Sequence, residues 1–494
     1  MMSRATNTRM IAAFSSLVLI AGCAAVNPAA DHPSELTYDS RELTYLNRAE
    51  YRRELPGGDV LYVIRDPAFP LVKVSVYSRA GSYLLEDLPA GAGGLTAAML
   101  RDGGAGDLDP EALDERLDFL ATDVGFSIGA TGSSMQIDTL SNNLDESLSL
   151  MVDMLVKPGF DAERLKIAVD RQVESMRRRN DDTRAIEPRV WSEVMLGEDF
   201  FGTRVATEAS VRSVDRDVMA EVVARIFSRG HLVIAVSGDI TGDEAEAKIT
   251  EALSQLPAGE APPPVPDDLA PRTPGLYAVN KDDVNQTRVS VGLPGPRVRH
   301  PDQYAIAVMN DILGGGGFTS RITSRVRSDE GLAYSAGSRF RLGRHYDGQF
   351  RAFFQSKNES VSQALGIVLE EIERIRNEPV SAEELNTAIE SRIAFLADLY
   401  ASAQASVRRF ASDEINDEAP DYWREFEANI RAVTVEDVQR AAQTHLDPSK
   451  LRILLVGKLD EALAGDGAHG TVQSVTGLEV ETIPLRDPLT QEPL

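Results

Sequence analysis

The stretch DAERLKIAV at residues 161–169 is similar to SAEELNTAI at residues 381–389. At this offset of 220 residues, alanine, glutamate, leucine and alanine occupy matching positions. The same offset relates Asp217-Val218 to Asp437-Val438, and each of these pairs begins an amphipathic segment that runs into an apolar stretch ending in glycine. Self-similarity at one fixed offset is the signature of a repeated structural unit. We therefore predict that the chain contains two homologous halves.

Each half interleaves strand signals with helix signals. Residues 71–77 (LVKVSVY) and 287–293 (TRVSVGL) alternate in a way that predicts half-buried strands. Asp109 before Pro110 predicts a helix start, because aspartate caps a helix and proline fits its first turn. Further helices are predicted over 161–179, 381–411 and 304–313, the last of them ending at four glycines. The pattern favours an α+β fold in which helices cover one face of each sheet.

A proline-rich stretch, LPAGEAPPPVP at residues 256–266, separates the two halves. Its proline density excludes a helix or a central strand, so we expect an extended linker. Near the C-terminus, LEVETI at residues 478–483 predicts a final edge strand. The predicted segments are a signal peptide at 1–22, a tether at 23–45, an N-terminal domain at 46–255, a linker at 256–272, a C-terminal domain at 273–460 and a tail at 461–494.

The composition excludes several classes of function. Lys+Arg is 51 and Asp+Glu is 77, giving a net charge of −26 that argues against nucleic acid as a partner and disfavours peripheral binding to anionic lipid. We interpret the acidity as a self-repelling soluble surface rather than as an acidic site for basic substrates. A single cysteine permits no intrachain disulfide, and no two of the six histidines lie close enough for HxxxH or HxxEH.

The N-terminal segment has the pattern of an export signal. Residues 10–22 are apolar but shorter than the roughly 20 residues that span a bilayer, which favours a signal peptide over a permanent helix. The run ends in Ile-Ala-Gly-Cys23, which resembles a bacterial lipobox and predicts lipidation of Cys23. The alternative is a free cysteine in an ordinary secretory signal. Because Ala24 follows the cysteine, we expect a lipid-anchored protein that faces the periplasm, at the outer membrane.

The duplicated α+β plan over about residues 45–460 resembles the pitrilysin/insulinase/mitochondrial processing peptidase family of zinc peptidases. The resemblance implies a clam-shell arrangement of the two halves around a peptide chamber. It also implies an inverted zinc motif, HxxEH, on a helix of the first half. Here the matching stretch is GAGGLTAAMLRDG at residues 91–103, so Gly94 and Ala98 stand at the histidine places and Ala97 at the glutamate place.

The family's late carboxylate ligand falls at Ser175, beside Glu174, which we interpret as a solvated helix residue rather than as a ligand. We therefore predict that this chain holds no metal and no cofactor, because glycine and alanine cannot perform imidazole or carboxylate chemistry. The chain is not expected to be an active metallopeptidase by itself.

The second half departs less from the family. The stretch LGGGGFTSRI contains Gly314, Gly315, Gly316 and Gly317, and it is similar to the family's glycine-rich turn followed by a helix. A phosphate-binding loop is excluded, because no Gly-Lys-Ser/Thr follows. Two interpretations stay open, a simple helix end with a turn, or a substrate-binding loop that lines the peptide chamber.

Residues 325–334, RVRSDEGLAY, resemble the passage in which the family carries a paired arginine and tyrosine seven residues apart. The resemblance implies that Arg327 and Tyr334 are catalytic, since this pair holds the substrate backbone and the developing oxyanion. A guanidinium and a phenol are suitable donors for that task. Arg325 is the competing candidate for the arginine, and the plain alternative is a surface arginine near a strand tyrosine.

Together these features predict a zinc-less subunit that complements a homologous HxxEH-bearing partner chain, with zinc present only in that partner. The substrate would be an extended peptide added to a sheet edge, and residues 126–137 are one candidate edge. The alternative is a non-enzymatic peptide-binding or assembly lipoprotein of the same fold.

Overall fold

The computed structural model describes residues 44–494. The predicted signal peptide, Cys23 and most of the predicted tether lie outside the described residues. The strands of the N-terminal half are β1 (Arg52–Glu54), β2 (Val60–Arg65), β3 (Leu71–Ser78), β4 (Asp123–Ile128), β5 (Ser133–Leu140) and β6 (Val233–Gly238). Its helices are α1 (Ala92–Asp102), α2 (Pro110–Phe119), α3 (Leu144–Val156), α4 (Ala162–Arg177), α5 (Thr183–Leu196), α6 (Glu208–Arg212), α7 (Arg216–Ile226) and α8 (Gly242–Leu253).

The C-terminal half follows the same order of elements. Its strands are β7 (Gly275–Asn280), β8 (Gln286–Gly295), β9 (Ala333–Arg341), β10 (Gly348–Lys357), β11 (Arg452–Gly457) and β12 (Val480–Thr482). Its helices are α9 (Gln303–Asn310), α10 (Arg321–Thr323), α11 (Val361–Asn377), α12 (Ala382–Leu396), α13 (Ala403–Ile415), α14 (Tyr422–Arg431), α15 (Val435–His445), α16 (Leu459–Ala464) and α17 (Val472–Thr476). Two π-helical segments, Asp311–Gly315 and Ser324–Asp329, continue α9 and α10.

Sheet topology confirms the duplication. The strand order is β1-β2-β6-β3-β5-β4 in one sheet and β12-β7-β11-β8-β10-β9 in the other. In each sheet one inner pair is parallel, β2 with β6 and β7 with β11, and the next three pairings are antiparallel. Five strands therefore repeat in the same order and direction, and only the outermost strands β1 and β12 differ. The predicted α+β class with two homologous halves is confirmed, and the peptide chamber stays a prediction.

Local signals in the sequence mark most of the elements correctly. The predicted strands at 71–77 and 287–293 are β3 and β8, and the Asp109 side chain caps α2 by accepting a hydrogen bond from the Ala112 amide. The second sequence match, however, is out of register by one residue. Buried Met219 of α7 corresponds to buried Val438 of α15, an offset of 219 rather than 220.

The single long helix predicted over 381–411 is wrong. The chain forms α12, a short 3₁₀ turn over Ala397–Tyr400, and then α13. The break occurs because Ser402 has extended backbone and its side chain accepts a hydrogen bond from the Ala405 amide, which starts a new helix. The first half breaks at the equivalent point, where Asp182 caps α5 in the same way.

The helix after each break packs against the sheet of the other half. In α5, Trp191 and its buried neighbours pack against Tyr277 and other residues of the C-terminal sheet. In α13, Phe410 packs against Tyr62 and other residues of the N-terminal sheet. The sequence predicted helices on one face of each sheet, and the structure places a helix from the opposite half over part of the second face. This reciprocal packing joins the two halves.

The linker and the tail behave as their composition predicts. Residues 259–273 form neither helix nor strand. The tail contributes β12, which pairs in parallel with β7 as the predicted edge strand. It then returns to the N-terminal half, where the Leu489 carbonyl accepts a hydrogen bond from the Glu208 amide at 2.8 Å. No helix within residues 44–494 has both the length and the apolarity to cross a bilayer.

Candidate functional site

The face of α1 that would carry a zinc motif holds no ligand. Gly94 and Ala98 are exposed one turn apart, and Ala97 is buried. Glu174, near the place of the third ligand, is half exposed and pairs with Arg178 at 3.0 Å and Arg177 at 3.3 Å. A hydrogen bond from Arg178 lowers the pKa of Glu174. The residues present do not fit zinc, and Glu174 is a solvated helix residue in surface ion pairs.

One cluster in the described part of the chain has the composition of a metal site. His300, Asp302 and His445 bring three ligand atoms within 4.8 Å of one another. The Asp302 carboxylate is already occupied, since His445 Nε2 lies 2.9 Å from one oxygen and Arg440 donates to the other. Burial acts to raise the pKa of Asp302, but the hydrogen bonds from Arg440 and His445 lower it overall. The Arg440 guanidinium supplies the positive charge that a metal ion would otherwise supply. The cluster therefore links α15 to the start of α9.

The glycine-rich turn packs backbone against backbone on β9. A side chain on Gly314 would put its Cβ 2.6 Å from the Ser338 amide nitrogen, and a Cβ on Gly337 would lie 2.8 Å from the Gly314 carbonyl. The Ser338 hydroxyl donates to the Asn310 side chain at 2.8 Å and fixes this contact. The turn is thus part of a helix end that continues in π-helical form through Gly315, slightly beyond the predicted stop.

Three of the four predicted glycines line one open cavity of about 540 Å³. Gly314, Gly315 and Gly317 face this cavity, whereas Gly316 lines a smaller cavity on the α12 side. The two interpretations of the turn are therefore compatible, because a helix end also forms a cavity wall.

Arg327 and Tyr334 meet at the same cavity. The Arg327 Cζ atom lies 4.5 Å from the ring centroid of Tyr334 and 4.5 Å from that of Phe318, so the guanidinium is stacked between two aromatic rings. These rings are 83 % and 66 % exposed, respectively. Sequence reasoning missed Phe318, although it directly follows the four glycines. Among the residues the structure describes, Arg327 has no ion pair and no side-chain hydrogen bond partner.

Arg325 has a different environment from Arg327. Its guanidinium pairs with the buried Glu371 at 2.8 Å and with Glu370 at 3.0 Å, both on α11. It therefore anchors the π-helical segment to the body of the C-terminal half. Geometry favours Arg327 over Arg325 as the arginine available to a ligand.

A second arginine anchors the same segment. Arg321 forms a two-pronged pair with Glu384, at 2.6 Å and 3.1 Å. Glu384 also accepts a hydrogen bond from the Ser381 amide in the capping box that begins α12. Burial acts to raise the pKa of Glu384, but the hydrogen bonds from Arg321 and the Ser381 backbone lower it to about 2.

Beside the cavity, β9 is the last strand of its sheet, so its outer edge has no neighbouring strand. The Thr323 hydroxyl donates to the Ala336 carbonyl on this edge at 3.0 Å. In the edge candidate at 126–137, β4 is the last strand of the N-terminal sheet whereas β5 is an inner strand, and its use by a peptide stays a prediction. An edge without a neighbouring strand, beside the donors of Arg327 and Tyr334, can accept an extended peptide where Thr323 does not already occupy it.

Comparison with known proteins shows which proteins the chain is similar to. The family profile described as "Peptidase M16 inactive domain" matches residues 213–392. The chain is 23 % identical to an uncharacterised zinc protease of Streptomyces coelicolor over 288 residues, 54 % of this chain and 62 % of that protein. It is 24 % identical to the non-peptidase homolog YmxG of Helicobacter pylori over 312 residues, 62 % of this chain and 71 % of that protein. The chain thus spans less than two thirds of the first relative's length.

Solved structures show the same fold. The peptidase M16 inactive domain from Pseudomonas fluorescens has a TM-score of 0.73 and 22 % identity, covering 82 % of this chain and 97 % of that one. The ferredoxin protease FusC in complex with Arabidopsis ferredoxin has a TM-score of 0.65 and 14 % identity, covering 90 % of this chain and 50 % of that one. The chain is therefore similar in fold to the M16 peptidases, and its residues 213–392 match the peptidase M16 inactive domain.

Proposed function

We propose that this chain is the zinc-less subunit of a two-chain M16 peptidase, and that it contributes Arg327 and Tyr334 to an active site whose zinc is held by a homologous HxxEH-bearing partner. The observation that carries the proposal is the Arg327 guanidinium, which forms no ion pair with any described residue and is stacked on exposed Tyr334 beside a strand edge that pairs with no other strand of the described chain. The zinc positions of the first half, in contrast, are glycine and alanine.

The chemistry of the two side chains suits a donor role. Arginine has five N–H donors and tyrosine one O–H donor, and neither side chain donates to an acceptor among residues 44–494. With Tyr334 on β9 and Arg327 in the adjoining π-helical segment, they can donate to a peptide carbonyl and to the negative charge that develops on it during hydrolysis. The peptide itself would lie along the outer edge of β9 and bond through its backbone.

The test is peptide hydrolysis by this chain mixed with a homologous HxxEH chain from the same genome. Arg327→Ala or Tyr334→Phe should reduce turnover in the mixture by roughly 10²–10³. The matched control is Arg408→Ala, which removes an exposed, unpaired arginine of α13 and should leave turnover unchanged. Full turnover in both Arg327 and Tyr334 variants would reject the role assigned to them.

A second candidate is a peptide-binding or assembly protein without hydrolytic activity, which the relative named as a non-peptidase homolog supports. In that case labelled peptides bind to this chain alone, Arg327→Ala weakens the binding, and no partner chain makes the peptide a substrate.

We also propose a lipid anchor at Cys23, facing the periplasm at the outer membrane, on the strength of the lipobox-like Ile-Ala-Gly-Cys sequence. Metabolic labelling with an alkyne fatty acid should modify the full chain and should fail for Cys23→Ser. Equal labelling of both proteins would refute the anchor.

A further inference from the structure

The face of β9 and β10 next to the cavity is rich in arginine. The register pairs Arg339 with Arg351 and Arg341 with Gln349, so these four side chains share one face of the sheet. It is the face covered by α5, because Gln349 accepts a hydrogen bond from Trp191 and Arg351 binds Glu187. Toward the outer edge, Arg339 and Arg341 extend past this helix and are exposed.

Only one of these guanidinium groups is neutralised. Arg351 pairs with the buried Glu187 at 2.7 Å. Within the described chain, Arg339 and Arg341 have no carboxylate within ion-pair distance, and Arg288, on the same face of β8, bonds only to the Gln355 amide oxygen at 3.0 Å. In a chain with a net charge of −26, three arginines without a counter-charge on one small face are unusual.

The like charges also act on each other. Arg339 stands directly opposite Arg351 on the neighbouring strand, a position in which equal charges destabilise a sheet. The pKa of Arg351 is lowered, first by burial and then by the nearby Arg288 and Arg339, although Glu187 acts in the opposite direction. An anionic ligand would relieve this repulsion.

Local acidic groups do not compensate for the arginines. Asp311 is the one carboxylate among the residues described around the cavity, and it is bound by Arg392 at 2.7 Å. Glu187 is bound by Arg351 and by the Ser290 hydroxyl. The positive field at the strand edge is therefore open to a ligand.

We propose that the strand edge of β9 selects extended peptides that carry carboxylates at alternate positions. The inference rests on the proposed peptide-binding function and names the substrate class. A peptide added to the edge turns every second side chain toward the arginine face, and residues opposite Arg339 and Arg341 are spaced two apart. Aspartate or glutamate at positions i and i+2 would then lie next to the two free guanidinium groups.

The test uses the full chain and short fluorescein-labelled peptides of serine and threonine, measured by fluorescence anisotropy. One peptide carries glutamate at alternate positions, a second carries glutamine there, a third carries lysine, and a fourth carries the same glutamates grouped together. We expect the alternate-glutamate peptide to bind about tenfold more tightly than the glutamine peptide, with an advantage that shrinks at high salt.

Variants separate this inference from the proposed function. Arg339→Glu with Arg341→Glu should reverse the preference toward lysine peptides, and Arg339→Gln with Arg341→Gln should abolish it while binding of the glutamine peptide persists. Arg424→Glu changes an exposed arginine of α14 that has no ion pair among the described residues. It is the charge control and should not change the peptide preference.

Equal binding of glutamate, glutamine and lysine peptides would overturn the acidic preference and leave the peptide site intact. Failure of every peptide to bind would overturn both the acidic preference and the placement of a peptide along β9, whereas the role of Arg327 and Tyr334 in a two-chain enzyme is tested separately by hydrolysis in the mixture.

Discussion

The two halves share one topology but differ at equivalent surfaces. On α1 of the first half, Gly94 and Ala98 stand where the family resemblance places two histidines, and they leave an ordinary exposed helix face. At the cavity of the second half, Phe318 and Tyr334 are exposed around Arg327, which forms no ion pair within the part of the chain that the structure describes. Two exposed aromatic rings around an arginine form a surface patch of the kind that often marks a binding site. We therefore propose that the second surface binds a ligand and that the first does not.

The largest expected effect is on stability, at Arg351. Unlike Arg327, this arginine is neutralised by a carboxylate of the folded chain, that of Glu187. Glu187→Ala would leave the buried part of Arg351 without its partner and should lower the free energy of unfolding by about 3–5 kcal/mol. Glu174→Ala, which removes an exposed glutamate in surface ion pairs, is the control and should change little. Equal denaturant midpoints for the two variants would show that the interface between α5 and the C-terminal sheet is not held by this pair.

Next in size is a contrast between two glycines. Gly314→Ala places a methyl group against the β9 backbone and should destabilise the protein by about 1–3 kcal/mol. Gly94→Ala meets nothing within 4 Å and should stabilise α1 by up to about 1 kcal/mol, because alanine favours a helix. Thermal unfolding of both variants measures the difference. If both substitutions shift the unfolding temperature in the same direction, the two glycines do not occupy different environments.

A smaller effect depends on pH. The pKa of Glu384 falls from its ordinary 4.5 to about 2 in the folded chain, so the unfolded chain binds the proton more readily. The contribution of ionised Glu384 to the free energy of unfolding is therefore complete above about pH 4.5 and is lost as the pH falls toward 2. Since the side chain is 31 % exposed, we expect about 1–2 kcal/mol, measured by urea unfolding across that range. Glu384→Gln should flatten this part of the profile, and an unchanged slope would contradict the assignment.

The smallest expected effect is on stability at the proposed donor pair. Arg327→Ala should lower the free energy of unfolding by no more than about 1 kcal/mol, because only exposed cation–π contacts with Phe318 and Tyr334 are lost, and no ion pair or side-chain hydrogen bond with a described residue. Thermal unfolding of this variant beside the parent chain is the measurement. A loss above 2 kcal/mol would make Arg327 a structural residue and would weaken the contrast between the halves.

Much of the fold could be predicted from the sequence, because it depends on local residue patterns. The repeat predicted the duplication, alternation predicted β3 and β8, and Asp109 predicted the start of α2. The break before α13 was missed, although the first half breaks at the matching place before α5. These features depend on neighbours within a few residues or on one fixed offset.

Other features depend on pairings that no local pattern contains. Helical periodicity shows that α5 and α13 have an apolar face, but it does not show which half supplies the sheet beneath that face. The arginine face of β9 likewise requires the register with β10 and the knowledge that nearby carboxylates are already paired. Arg327 and Tyr334 were found by family resemblance, and Phe318 requires the fold of the glycine turn.

The most direct test of the account is peptide hydrolysis by this chain alone, by a homologous HxxEH chain alone, and by their equimolar mixture. Complementation predicts that only the mixture cleaves a quenched fluorescent peptide at a substantial rate. Cleavage by this chain in isolation, or a mixture no faster than the HxxEH chain by itself, would contradict it.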